Sequence, residues 1–455
     1  MNELLIKKIE RYKYLFLFLW GVIVALFIII PNSYFIIPSS LSINPESYYF
    51  RMMPTRLETL NNSLDYLQTN LILPTNFFLD HVGASYLYYS YFGKFFGITE
   101  AWKILLIFQL MAVFAVLAIY PVLINKITNS ILLALISPVL LYQVCGFNLI
   151  TVKSCINWGF AWLVTISIPL LYIFFKSITC SKVFYYSFAG LCLSAAISNS
   201  IRAHSALPVF IILISIIIYK ISSDRKFNKV FVCCCTILFF LFSYVLFTDI
   251  IPHLYIILTN QTQPESFGPW HTIYIGLGWE PNPFNIIFND SDAINAARSI
   301  NPDVIYLSEE YTAILKSLWL DLFKSNTGYF FFTYIKKFFV CFIVSGYSVL
   351  RFDQGLAVVA YIAINYIVIR YFFVQQNVIR NIIKKYSILF SICIVFIFGM
   401  LLYPLMAVPL KPYLNGTIAA CGMLLFFVLL TLLEKLIFII TQLYNKSLSN
   451  KAENS

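Results

Sequence analysis

Asp80 and His81 stand side by side in the stretch Pro74–Gly97, PTNFFLDHVGASYLYYSYFGKFFG. A carboxylate beside an imidazole at the mouth of a membrane can do proton chemistry on a group that a lipid presents. The tyrosine- and phenylalanine-rich run that follows has the composition of backbone lying where lipid meets water. The ordinary alternative is that Asp80 caps a helix beginning near Val82. Glu46, Glu58 and Asp65 are the acids of the run Asn44–Asn70 that precedes this stretch. Glu58, Asp80 and His81 are donor types that can hold a divalent ion, although no ligand spacing demands one.

Cations complete the set. Arg202 and His204 open the sixth expected span, where a basic group is costly unless it is paired or faces water. Arg202 either snorkels to headgroups or clamps a lipid phosphate. Lys411, between Pro409 and Pro412, has the same two readings. Such cations near carboxylates suit an anionic lipid headgroup whose departing phosphate needs charge stabilisation. The four histidines, His81, His204, His253 and His271, all map to one side of the expected topology.

The elements that must position these groups are helices in a bilayer. Of the 455 residues, 60% are hydrophobic and 11% charged, whereas soluble domains are about a quarter charged. The apolar runs are long and continuous, which fits helices and not the short alternating strands of a barrel. Spans are expected near 14–31, 103–124, 131–147, 156–175, 183–200, 206–221, 230–251, 355–374, 386–403 and 413–433, about ten in all. Net charge is +11, and the basic residues fill the short loops at Lys126, Lys176/Lys182, Lys220–Lys229 and Arg370–Lys385. This is the positive-inside pattern of a multi-pass cell-membrane protein with both termini cytoplasmic, and it argues against a nucleic-acid partner. The segment 330–350 is apolar enough to span but carries Lys336 and Lys337. It is therefore expected to be interfacial or re-entrant, which preserves the parity.

The division that follows is an N-terminal transmembrane module, 1–251, containing a first outer loop at 32–101. A second outer loop with interfacial helices covers 252–350, C-terminal spans cover 351–441, and a polar cytoplasmic tail covers 442–455, expected to be disordered after Asn445. In the first loop, Leu57, Leu60, Leu64 and Leu67 have helical spacing. In the second, a short helix is expected at Asp292–Ser299. A longer one is expected to start at Asn301-Pro302-Asp303, with Asn301 as cap. Trp270, His271 and Tyr274 fit either a sugar-stacking platform or a packed loop cap. The cytoplasmic loops are too short for a nucleotide-binding domain, and no phosphate-cradling glycine motif is present. The ten cysteines show no metal-ligand spacing, and Cys145 with Cys155 is the one pair that could reach an oxidising face.

The run DHVGASYLYYSYFGKFFGITEAWKILLIFQLMAVFAVLAIY resembles the corresponding part of the GT-C glycosyltransferases, the polytopic type that includes protein O-mannosyltransferases and lipid A aminoarabinose transferases. Asp80 matches the family's acidic position and His81 its basic one, while Val82 and Gly83 replace the usual prolines. Gly97 and the span after it match. For the family's earlier acid, Glu58 is preferred over Glu46, because Arg56 beside it is expected to orient it. Arg202 matches a basic position before the sixth span. Lys411-Pro412-Tyr413 resembles a late Arg-Tyr, with lysine forfeiting the bidentate geometry of arginine. The resemblance implies a polyprenyl-phosphate sugar donor and a glycan, lipid or protein acceptor on the outer, periplasm-facing side. Inverting displacement is expected, with Asp80 or Glu58 as base and Arg202, His81 and Lys411 facing the phosphate. An O-antigen-type polymerase or ligase, needing Arg202 and His271 more than the carboxylates, is one alternative. A lipid-linked oligosaccharide flippase is the other.

Overall fold

The computed structural model describes residues 3–36, 54–75, 84–146, 159–201, 205–223, 227–261, 269–350, 376–406 and 411–453. Every regular element among the described residues is helical. α1 (Glu3–Ile36) leads into a first connection that holds α2 (Pro54–Thr69) and α3 (Ala84–Phe96). Then come α4 (Ala101–Thr128), α5 (Ile131–Leu141), α6 (Gly159–Lys176), α7 (Lys182–Ile201), α8 (Leu207–Ser223) and α9 (Phe227–Val245). A π turn, Leu246–Ile250, joins α9 to α10 (Ile251–Leu258). The second connection carries α11 (Pro269–Ile275), α12 (Asp290–Arg298) and α13 (Glu309–Ser325). The chain closes with α14 (Thr327–Leu350), α15 (Gln376–Met406) and α16 (Lys411–Glu453).

Each expected span that falls within the described residues is a helix, and the one at 355–374 lies outside them. Six described helices are long and apolar enough to cross a bilayer: Tyr12–Ile30, Ala101–Thr128, Lys229–Leu258, Thr327–Ser345, Tyr386–Met406 and Gly416–Gln442. Shorter apolar helices at Ile131–Val144, Thr165–Lys176 and Leu207–Ser223 pack among them. Lipid tails are as apolar as leucine, so helices associate in a bilayer through close packing at small residues. Gly21 shows this: a Cβ there would stand 2.5 Å from the carbonyl oxygen of Ala118 and 2.7 Å from that of Leu117. α1 and α4 therefore meet backbone to backbone.

Three expectations change. The segment 330–350 belongs to one continuous helix, α14, packed along α15 and α16 and not broken as a re-entrant loop would be. Its two lysines have partners that are distant in sequence. Lys336 pairs with Glu280. Lys337 is fully buried and donates to the carbonyl oxygens of Gly276 at 2.6 Å and Leu405 at 3.3 Å. The indole of Trp279 lies 5.5 Å from the Lys336 amine and 6.0 Å from that of Lys337.

Second, the helix expected from Asn301 begins at Glu309. Asn301 instead closes a turn by accepting from the Asp303 amide at 3.1 Å, and Leu307 adopts a left-handed φ of 70° that no helix continues through. Ser308 then caps the Tyr311 amide, with Glu309 and Glu310 in the first turn. These carboxylates complement the positive end of the helix dipole. Third, the polar tail is helical to Glu453, since nothing after Gly422 in that stretch is a proline or glycine that would break it.

Gly21→Val forces the backbones of α1 and α4 apart. It is expected to destabilise the detergent-solubilised protein by roughly 1–3 kcal/mol, as overpacking does. Gly328, with nothing within 4 Å of a Cβ, is the control: Gly328→Ala should leave the thermal midpoint unchanged or slightly higher.

Candidate functional site

α3 is the element around which a site can be built, because it carries the chain out of the Asp80 stretch. It is held on three sides. Ser90 shares a 2.6 Å hydrogen bond with Ser63 of α2 in the interior. At Gly93 a Cβ would meet Leu64 Cδ2 and Ile104 Cδ1, both at 2.5 Å, so α2, α3 and α4 converge closely there and a larger residue would require those side chains to shift. The helix ends in a Schellman turn at Gly97 (φ 66°), with Ile98 N–H donating to Gly93 O at 2.8 Å and Gly97 N–H to Lys94 O at 3.3 Å. Asn61 of α2 then accepts from the Ala101 amide at 2.9 Å, capping α4 from a distance.

Ahead of α3, residues 70–75 are fastened to the end of α10. The Tyr255 hydroxyl accepts from the Leu73 amide at 2.7 Å and donates to the Leu73 carbonyl at 3.0 Å. Gln261 does the same across one residue, accepting from Thr75 N–H at 2.7 Å and donating to Leu73 O at 3.0 Å. Tyr91 of α3 donates to Leu71 O at 2.9 Å and lies 3.0 Å from the Tyr255 hydroxyl. Two carbonyl–amide pairs and two phenols thus form one clasp.

One turn deeper lies the π turn. Pro252 has no N–H, so the carbonyl four residues earlier loses its usual partner. The helix widens there, and Ile251 N–H bonds Leu246 O, five residues back. Tyr88 of α3 donates to Phe247 O at 2.7 Å, and Asn199 of α7 donates to Tyr244 O at 3.0 Å. α3 and the end of α7 therefore meet the same stretch of the long helix. Beside it an apolar groove of about 610 Å³, open to the surroundings, is lined by Leu87, Tyr88, Tyr91, Phe92, Phe108, Ile251 and Tyr255.

The π turn also carries Asp249, exposed and accepting from the Thr248 hydroxyl at 2.5 Å. In the sequence it reads as the charge near the end of the span expected at 230–251. The signal is there: a lone carboxylate in an otherwise apolar run, three residues before a proline, is where functional groups are expected.

Of the sequence-predicted residues, Glu46, Asp80, His81, Arg202 and His204 lie outside the described residues. Asp80 is four residues before Ala84, and Arg202 follows Ile201 at the end of α7. Glu58 is exposed on α2. Arg56 is two residues before it on the same helix, and its side chain lies outside the described ones. Lys411 is the first residue of α16. Among the described residues no group of three His, Cys, Asp or Glu side chains could hold a metal ion. The Cys145–Cys155 pair falls outside the described side chains.

The second connection has a core of its own, built from Tyr274, Leu277, Ala293, Val304, Tyr311, Leu315 and Phe330 among others. His271 is 3% exposed within it. One ring nitrogen, Nδ1, is 2.7 Å from the Tyr311 hydroxyl, and Nε2 is 3.1 Å from Asp290 Oδ1. A single imidazole thus joins α11, α12 and α13. Tyr274 is buried as well. His271 and Tyr274 are therefore closed off as members of a packed cap, and the platform reading fails for them. Trp270 remains partly exposed, packed against Trp319 at 5.8 Å with the Lys316 amine 5.7 Å from its ring.

Burial pushes the Tyr311 phenol well above the ordinary tyrosine range, and Tyr306 and Asp290 push it the same way. Tyr274 moves upward for the same reason, with Asp292 adding to it.

Apolar helices on this scale, joined by polar connections, define a helical membrane protein. No protein-family model, curated protein or solved structure matches the chain.

Tyr255→Phe removes both bonds to Leu73. Amide exchange over residues 70–75 should become faster by the equivalent of about 1–2 kcal/mol, with the spans unchanged in the same mass-spectrometric measurement. The raised phenols of the second connection predict an alkaline transition. The unfolded chain releases their protons near pH 10, while the folded one retains them. Their contribution to stability is thus complete below about pH 10 and is lost as pH rises beyond it. Proteolysis within 269–325 should increase over that range.

Proposed function

We propose that the chain is an inverting membrane glycosyltransferase that moves a sugar from a polyprenyl-phosphate donor to a glycan, lipid or protein acceptor. The observation that carries this reading is a shared anchorage. The residues leading to Asp80, the helix leaving it, and the end of α7 that leads to Arg202 are all bonded to Tyr244–Gln261, beside the open groove. Four residues of extended chain reach at most about 14 Å, which ties the proposed base to Ala84 and this end of the bundle.

In this reading the lipid tail lies in the groove and the phosphate sits at the membrane margin. Asp80, or Glu58 from α2, takes the proton of the acceptor hydroxyl. The freed oxygen attacks the anomeric carbon from the face opposite the phosphate. As that bond forms, the carbon–oxygen bond to phosphate breaks, and both of its electrons leave on the phosphate oxygen. Arg202, His81 and Lys411 are assigned to that developing charge. Trp270 is the residue of the original aromatic trio that keeps a face for the acceptor. The carboxylates sit in a connection on the outer side of the membrane, the side assigned by the charge bias of the short loops. The polymerase-or-ligase alternative requires His271 at the reacting groups, and its two bonds inside the cap speak against that.

Transfer from a radiolabelled polyprenyl-phosphate sugar, in vesicles holding the purified chain, tests the proposal. Asp80→Asn is expected to lower the rate by roughly 10²–10⁴, the range for loss of a general base. Glu58→Gln should identify which carboxylate acts. Full transfer by both variants would remove this mechanism. Loss confined to Arg202→Ala and His271→Ala would favour the polymerase.

A further inference from the structure

We propose that the turn Asn70–Leu73 is a wedge inserted into the lipid of the surrounding bilayer, seated at the glycerol level beside α10. The placement does not depend on the transferase reading. It rests on how the turn's polar and apolar groups are divided.

The turn is irregular, yet side chains that reach in from elsewhere pair the carbonyls of Asn70, Leu71 and Leu73 and the Leu73 amide, leaving the Leu71 and Ile72 amides and the Ile72 carbonyl at its tip. Asn70 O accepts from the Lys94 amine at 2.6 Å, Leu71 O from Tyr91, and Leu73 O from both Tyr255 and Gln261. The Leu73 and Thr75 amides donate to Tyr255 and Gln261. A surface loop in water has no need of this, because solvent supplies the same bonds. Backbone at the edge of a bilayer does need it, since lipid supplies none.

The side chains point the other way. Leu71 is 81% exposed and Ile72 47% exposed, while Leu73 is fully buried against Leu67 and Leu87. Single exposed leucines are ordinary on a protein surface. Here, however, the two residues that project are apolar, and the backbone on either side of them takes hydrogen bonds from the protein. The neighbouring surface is already apolar: Leu254, Ile257 and Leu258 are exposed at the end of the span Lys229–Leu258. Tyr255, which holds the turn, sits among them one turn from the span's end, the depth at which tyrosines gather. Lys94 places its amine at the rim, where a long cationic side chain reaches headgroups. Continuity with the lipid-facing end of a span selects acyl chains as the occupant over a second copy of this chain or a soluble partner.

The test uses the full unmodified chain in phosphatidylcholine–phosphatidylglycerol vesicles containing a phospholipid with a photoreactive diazirine. In one preparation the diazirine sits on an acyl carbon near the glycerol, and in another at the end of the tail. After illumination and digestion, the peptide bearing Leu71 and Ile72 should carry lipid adducts from the shallow probe. These should be several-fold more abundant than those from the deep one. In a Leu71→Asp/Ile72→Asp double variant the adducts on this peptide should fall several-fold, while those on the peptide spanning Leu254–Leu258 persist and report an intact bundle. Labelling of the Leu254–Leu258 peptide with none on the Leu71–Ile72 peptide of the unmodified chain would overturn the wedge. Covalent chain-to-chain products at Leu71 in place of lipid adducts would do the same, assigning the surface to a second copy.

Discussion

One phenol oxygen does much to determine where the first connection goes. At the edge of a bilayer the backbone cannot rely on water, so a chain that leaves helical geometry must find its hydrogen bonds within the protein. Tyr255 provides two of them to a single residue, Leu73, and Tyr91 and Gln261 supply the neighbours. Once Leu73 is fixed there, α3 must return along α10, because Tyr88 and Tyr91 bond points on the long helix and its clasp. The groove is the space left between two helices held at their hydroxyls and kept apart by their rings. Its shape is thus a by-product of satisfying backbone polarity, and its apolar lining follows from the belt composition of α3.

The second connection is organised on a different principle. It buries its own apolar residues around Tyr311 and Phe330, with His271 tying three short helices together at the centre. It docks on the bundle through Lys337, whose amine reaches from α14 to the Gly276 turn and to the end of α15. The two connections therefore attach to the membrane part by separate sets of bonds. Under the transferase reading, this lets the donor side be held rigidly by the clasp while an acceptor-facing cap varies in sequence without disturbing it.

The helices were legible in the sequence because an unbroken apolar run of about twenty residues matches the thickness of a bilayer and little else. α2 was legible because Leu60, Leu64 and Leu67 share a face that is buried. What escaped the sequence was long-range pairing. Lys336 and Lys337 argued against a span at 330–350, since neither Glu280 nor the Gly276 and Leu405 carbonyls that receive them can be seen from within the segment. Asn301-Pro302 has the composition of a helix start, but the left-handed Leu307 and the better cap at Ser308 move that start downstream. His271 and Tyr274 looked like a sugar platform because aromatic and polar groups serve cores and binding faces alike; only burial separates the two. As for the site, the sequence sets Asp80 beside His81 and Arg202 ahead of the sixth expected span, and all three lie outside the described residues. The anchoring of their flanking residues to one helix was not legible, since it depends on bonds between residues far apart along the chain.

The widened turn before Pro252 has a consequence for rotational phase. An α-helix advances about 100° per residue, so one additional residue in a turn swings everything beyond it by that angle relative to an uninterrupted helix. Upstream of the turn, Leu238 and Phe242 are exposed, away from the bundle. Downstream, Ile251 and Tyr255 look toward α3. The long helix is thus a two-part shaft with a fixed offset, and a proline sets that offset. Moving or removing the proline would re-index the whole outer end against α3 while leaving the inner end in register with α7 and α8.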